Sequence, residues 1–217
     1  MARHWTNVSD IFEALSYILK PFSPNGIELF FTTSYNTWRR HNTTELVTSV
    51  RNRASSLAGV TDVGYRLRLQ LESYAAALRF SVAQKKKKRP CRPLSVYVLT
   101  DGAWQAGSDP RRPIRDVVCA VRELGISGIV PPVVGIQFVS FADGRRPVRR
   151  IDDVARSDYG MDCVDSTPWT GNVLKMLCGA LDKQLFRDCD GDDERSESGH
   201  GNRLRSVSSE ETLTDEM

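Results

Sequence analysis

Hydrophobic and polar positions follow two different spacings along the chain, which predicts a mixture of helices and strands. Apolar residues recur every three or four positions, as in amphipathic helices, within 10–20, 44–57, 62–83, 113–124, 147–157 and 172–186. Short apolar runs, typical of buried strands, occupy 26–32, 94–100, 133–138 and 162–165. Helices that alternate with near-continuous apolar strands predict an α/β fold: a Rossmann-like, open, mostly parallel and doubly wound sheet with helices on both faces.

Polar residues beside these segments predict how individual helices begin. Thr43 or Thr44 is expected to cap the helix at 44–57, and Thr61 could cap the long helix at 62–83. Cys119 and Cys178 fall at apolar positions of helical patterns, which predicts buried thiols with a packing role.

The formal net charge of +3 is unevenly distributed over the 217 residues. Residues 187–217 contain ten acidic residues and four arginines, a net of −6, which leaves +9 on the rest of the chain. This terminal segment is polar and has no hydrophobic periodicity. The composition therefore predicts a folded α/β domain over 1–186 and a disordered acidic tail over 187–217.

Motifs of the common enzyme classes are absent from the sequence. It contains no GxSxG, GxxxxGK[ST], GxGxxG or HExxH pattern, only three histidines, and five cysteines without a CxxC pair. We therefore expect no enzymatic activity, no catalytic residue and no zinc site.

Neither the N-terminus nor the longest uncharged stretch of the sequence favours a membrane or secreted protein. The N-terminus lacks a cationic start followed by an apolar run, and Pro131 and Pro132 interrupt the longest uncharged stretch. We expect an intracellular protein, cytoplasmic or nuclear, that is not inserted in a membrane.

The strongest local charge feature is a run of basic residues between the long helix and the strand at 94–100. It consists of Lys85, Lys86, Lys87, Lys88 and Arg89. Such a run can serve nuclear import or contact nucleic acid and other anionic partners, and the alternative is a solvated loop. Because no aromatic residues interleave with it, the pattern argues against nucleic acid.

Oxygen-bearing side chains occur where a ligand of an open parallel sheet would bind, beyond the carboxyl ends of the strands. Asp101 directly follows the strand at 94–100 and precedes Gly102, and Thr61 precedes the long helix. A carboxylate and a hydroxyl in these positions are candidate ligands of a hard cation. The alternative is that Asp101 caps the following turn and that Thr61 caps the helix.

Four segments in this order resemble a von Willebrand factor A-type domain, in the form found in many fungal proteins. They are GVTDVGYRLRLQLESY (59–74), VYVLTDGAW (96–104), VGIQFVSF (134–141) and IDDVARSDYGMDCVDSTPW (151–169). The resemblance covers 1–186 and implies a Rossmann-like protein-interaction domain. It also implies a metal-ion-dependent adhesion site for Mg²⁺ or Mn²⁺, in which Thr61 and Asp101 match two ligand positions.

The DxSxS motif of that family, and the strand that carries it, are absent from the sequence. The family places a methionine just after this motif, so Met1 is expected to match it and the chain to be truncated upstream. Since the missing strand is central in the family, its two neighbours are expected to expose unpaired edges. One hydroxyl and one carboxylate are too few oxygens for Mg²⁺, so we expect a bound metal only in a longer form and none in this chain.

Two hypotheses follow. The first is a non-enzymatic A-type domain that binds an unidentified protein partner through the carboxyl edge of its sheet. In this chain we expect the binding to need no metal ion, and metal-dependent binding is expected only in a longer form. The second is a nuclear regulatory module that acts through the basic loop Lys85–Arg92. Sensitivity to Asp101→Ala, and to a chelator in a longer form that holds the metal, would favour the first. A steep salt dependence lost on neutralising the lysines would favour the second.

Overall fold

The computed structural model describes residues 1–34, 37–56, 62–84, 91–105, 107–125, 133–141, 151 and 163–179. In these ranges the helices are α1 (Trp5–Leu19), α2 (Thr43–Arg51), α3 (Val63–Ala83), α4 (Arg111–Glu123) and α5 (Val173–Cys178). The strands are β1 (Ile27–Phe30), β2 (Thr37–Arg40), β3 (Leu94–Thr100), β4 (Val134–Ser140) and β5 (Val164–Pro168).

The strands β3, β4 and β5 form a parallel sheet in that order. Alternate side chains of β4 enter two different hydrophobic clusters, because successive residues of a strand point to opposite faces. Ile136 and Phe138 pack with α3 and α4, whereas Val139 packs with α1 and α5. The structure therefore confirms an α/β fold with a parallel sheet flanked by helices on both faces.

The strand predicted at 26–32 forms over Ile27–Phe30, but it does not join the parallel sheet. It pairs antiparallel with β2 in a separate hairpin, with Ile27 opposite Arg40. Gly26, at φ +81°, lets the chain pass close to the Arg40 carbonyl where the hairpin begins. β2 was not predicted, because its sequence TWRR has a single large apolar residue and no alternation.

Two predicted caps are wrong by one or two residues. Asn42 caps α2 by accepting the Thr44 N–H at 3.0 Å, whereas Thr43 already belongs to the helix. Asp62, not Thr61, caps α3 by accepting the Tyr65 N–H at 2.8 Å. In both places neighbouring residues belong to the preferred capping types, so composition alone does not select between them.

Other differences concern burial and boundaries. Cys119 and Cys178 are half-buried rather than buried, and Cys163 is the buried thiol among the described cysteines. β5 lies at 164–168 instead of 162–165.

Several predicted features lie outside the described residues. They are most of the helix at 147–157, residues 180–186 of the last helix, and the tail at 187–217. Among the helices of the described part, none has the length and apolar character needed to cross a bilayer.

Candidate functional site

Asp101 lies at the carboxyl end of β3, where the chain turns sharply. Gly102 adopts φ +72°, and the Oδ1 atom of Asp101 accepts the N–H of Ala103 at 3.2 Å. The Thr100 hydroxyl oxygen accepts the Gly102 N–H at 3.0 Å and the Trp104 Nε1–H at 3.1 Å. Asp101 therefore caps the turn after β3, as the alternative to a ligand role expects.

The second carboxylate oxygen of Asp101 forms an ion pair with the α-ammonium group of Met1. Burial acts to raise the pKa of Asp101, but hydrogen bonds from this ammonium and from the Ala103 N–H outweigh it, so the pKa lies below its usual value. Asp101 is therefore an ionised carboxylate that holds a cationic group at the carboxyl edge of the sheet.

Hydrogen bonds attach the N-terminus of α3 to the loop that begins at Asp101. The buried Ser108 hydroxyl donates to Oδ1 of Asp62 at 2.8 Å, and its oxygen accepts the Gly64 N–H at 3.0 Å. A Cβ atom at Gly64 would lie 3.0 Å from the Asp109 carbonyl oxygen, so glycine permits this close approach. Thr61 lies outside the described residues, but Asp62, which follows it, is held against this loop.

The described part of this site does not fit Mg²⁺ or Mn²⁺. Mg²⁺ takes about six oxygen ligands in octahedral geometry. The two Asp101 oxygens already accept from Met1 and Ala103, and among the described residues no three His, Cys, Asp or Glu side chains are grouped to hold a metal ion. The assignment of Thr61 as a metal ligand stays a prediction.

Aromatic residues line the same edge of the sheet but serve in packing. The Trp169 ring stacks on the Phe141 ring, with centroids 6.1 Å apart and an interplanar angle of 8°. Trp104 packs against the cluster formed by α3 and α4 while it donates to Thr100.

A second polar cluster, which the sequence did not predict, lies inside the fold between β4, β5 and α5. Nε2 of Gln137 donates to Asp165 at 3.0 Å and to Thr167 at 3.1 Å. Its Oε1 atom is buried without a hydrogen-bond partner among the described residues. A Cβ atom at Gly179 would lie 2.9 Å from this Oε1 and closer still to Asp165, so the glycine lets α5 close over the cluster.

Sequence reasoning could have found part of what it missed. Gln137 is a polar residue within an apolar strand, which is a signal for a buried hydrogen-bonded group. Ser108 carries no such signal, because it lies in a loop without periodicity. The basic run Lys85–Arg89 lies outside the described residues, and its role stays a prediction.

Comparisons of the chain with protein-family models, with curated proteins and with solved structures found no match. The resemblance to A-type domains therefore rests on the sequence segments and their order, and the structure itself supports the α/β fold.

Proposed function

We propose that this chain is a non-enzymatic protein-interaction domain of the von Willebrand factor A type, which binds a protein partner at the carboxyl edge of its parallel sheet. The observation that supports this proposal most directly is the position of the Asp101 carboxylate at the carboxyl end of β3, where Gly102 turns the chain. The attachment of α3 to the loop after β3 adds support, because it places the N-terminus of α3 beside the same edge.

The chemistry of Asp101 favours a basic group on the partner. A lysine or arginine side chain would form a charge-assisted hydrogen bond with the carboxylate. This contact needs no metal ion, which agrees with the poor fit of the described groups to Mg²⁺. In the family that the sequence resembles, a partner's carboxylate completes the metal shell instead.

Affinity capture with matched variants tests the proposal. Wild-type protein, Asp101→Ala and Asp109→Ala are immobilised, and the proteins retained from a cell extract are quantified by mass spectrometry. Asp109 is a matched control, since it is an acid of the same loop that pairs with Arg111 at 2.7 Å. We expect a partner that is lost with Asp101→Ala, retained with Asp109→Ala and unaffected by EDTA.

Two outcomes would contradict this proposal. Retention of the same partners by Asp101→Ala would remove the carboxylate from the interface. Loss of wild-type binding in EDTA would show that a metal ion is needed. Partners that are instead released by moderate salt, and by neutralising the lysines at 85–88, would favour the nuclear module that acts through the basic loop.

A further inference from the structure

A narrow groove runs along the surface between α3 and α4. Small and aliphatic side chains of both helices form its floor, among them Leu71, Ala75, Val117 and Ala120. The groove has a volume of about 120 Å³. Pockets for small molecules and cofactors usually span about 300–1,000 Å³. The groove is therefore better suited to one apolar side chain of a polypeptide than to a cofactor.

The helices that form this groove are more positively charged than those on the opposite face of the sheet. α3 and α4 contain seven arginines and three acidic residues, a net charge of +4. α1 and α5 contain one lysine and two acidic residues, a net charge of −1. An acidic polypeptide is therefore attracted to the face of α3 and α4 rather than to the face of α1 and α5.

Two arginines mark the ends of the groove. Arg68 and Arg79 both line it and stand eleven residues apart on α3, which corresponds to about 16 Å along a helix. Arg68 lies 3.9 Å from Glu72, and Arg79 lies 3.6 Å from Glu123. Because all four side chains are exposed, these ion pairs contribute little, and each arginine can bind a further carboxylate.

The middle of the groove excludes negative charge. Glu72 and Asp116 line it between the two arginines, beside the apolar floor. A matching polypeptide therefore needs an uncharged centre with one apolar side chain, and acidic residues about 16 Å apart on either side of this centre.

One segment of the sequence, outside the described residues, has this pattern. In EETLTDE (210–216), Leu213 has a threonine on each side and then two acidic residues on each side, with no basic residue. Glu211 and Glu216 are five residues apart, which spans about 16 Å in an extended backbone. No other leucine of the sequence has two acidic residues on each side within three positions.

The length of the chain allows this segment to reach the groove. The described part ends at Gly179, after α5, on the opposite face of the sheet. Layers packed about 10 Å apart place the two helix faces about 20 Å from each other. A polypeptide coil of about 34 residues, the separation of Gly179 and Leu213, spans about 30 Å on average. Covalent linkage also gives an effective concentration of about a millimolar, which populates even a weak contact.

We propose that the acidic segment 210–216 of this chain binds in the groove between α3 and α4. Leu213 covers the apolar floor, and acidic residues on either side of it form charge-assisted hydrogen bonds with Arg68 and Arg79. A separate polypeptide with the same pattern has to compete with this segment. The contact lies on a helical face rather than at the carboxyl edge of the sheet, so it does not rest on the proposed function.

Residue-resolved NMR of the full chain tests the contact with two leucine variants. Leu213→Asp places a charge against the apolar floor, and Leu204→Asp is the matched control, because Leu204 lies between two arginines. We expect Leu213→Asp to shift the amide resonances of Ala75 and Ala120, and Leu204→Asp to leave them unchanged. The shifts should persist on tenfold dilution, because the contact forms within one chain.

Peptide competition locates the contact on the groove. The probe is the fluorescent, acetylated peptide SSEETLTDEM, which reproduces residues 208–217. Fluorescence anisotropy is expected to show at least about threefold tighter binding to full-length Leu213→Asp than to wild type, whose own segment competes.

Charge reversals in the full-length Leu213→Asp chain identify the arginines that hold the peptide. Adding Arg68→Glu and Arg79→Glu together should weaken peptide binding about tenfold or more, because two ionic contacts become repulsive. Arg112→Glu is the matched control, since Arg112 is exposed on α4 and is not among the residues that line the groove. It should change the affinity by less than about threefold.

Four results would overturn the proposal. Identical groove resonances in wild type and Leu213→Asp would show that the segment does not touch the groove. Shifts that vanish on dilution would assign the contact to a second copy. Equal peptide binding by wild type and Leu213→Asp would leave the groove to a separate polypeptide. Peptide binding that survives the two arginine reversals, but is lost on neutralising the lysines at 85–88, would place the segment on the basic loop.

Discussion

Tyr97 connects β3 to α5 through its side chain. Its hydroxyl donates to the Leu177 carbonyl at 2.9 Å, and burial raises the pKa of Tyr97 to about 12. An unfolded tyrosine has a pKa of about 10. Above that pH the unfolded chain loses the proton while the folded protein keeps it, so the free energy of unfolding falls as the pH rises from about 10 to about 12.

Replacing Tyr97 with phenylalanine is expected to remove this contribution. When the pH rises from about 9 to about 12, the free energy of unfolding should fall by about 2 kcal/mol less in Tyr97→Phe than in wild type. Urea unfolding at each pH measures this difference. Near pH 7 the variant should be destabilised by about 1 kcal/mol, because the hydrogen bond to Leu177 is lost. The same pH dependence in both proteins would contradict this description of Tyr97.

At the scale of elements, the position of α3 depends on Ser108. This hydroxyl joins the Asp62 cap and the Gly64 N–H to the loop after β3, at the edge where the candidate site lies. Since Ser108 is buried, water cannot easily replace the hydroxyl once it is removed.

Ser108→Ala is therefore expected to lower the free energy of unfolding by about 1–3 kcal/mol. Ser73→Ala is the matched control, because Ser73 is exposed on α3. Removing its hydroxyl should change the free energy of unfolding by less than about 0.5 kcal/mol. Chemical denaturation of both variants measures the difference. Equal stabilities would show that the loop does not hold α3 in place.

Elements with a strong apolar spacing could be predicted from the sequence. The apolar spacing at 113–124 predicted a helix, and α4 buries the residues that produce this spacing, Ile114, Val117, Val118 and Val121. Weakly apolar elements could be placed only approximately, as the strand predicted at 162–165 shows by lying at 164–168. β5 contains the polar residues Asp165 and Thr167, whose burial depends on hydrogen bonds to Gln137 on another strand.

The candidate site could be predicted only in part. Asp101 follows from its place after a strand, a local feature of the sequence. Its ion pair with Met1 joins residues a hundred positions apart, and Ser108 contacts Asp62 across 46 positions. Such contacts depend on how the elements pack, so local patterns do not reveal them.

At the scale of the whole molecule, the strands of the described residues form two sheets that do not pair with each other. The hairpin and the parallel sheet share the helices α1 and α3, yet β3 has a neighbour on one side only. The sequence predicted exposed strand edges from its resemblance to a family with one more strand. In the described part, β3 has such an edge, because it pairs with β4 alone.

Amide hydrogen exchange of the free protein, followed residue by residue by NMR, tests this central claim most directly. We predict that Ser95, Tyr97 and Leu99 exchange quickly, because their N–H groups face the open edge, and that Val96 and Val98 exchange slowly, because theirs bond to β4. Equal protection of all five amides would contradict the claim and show that the edge of β3 is already paired.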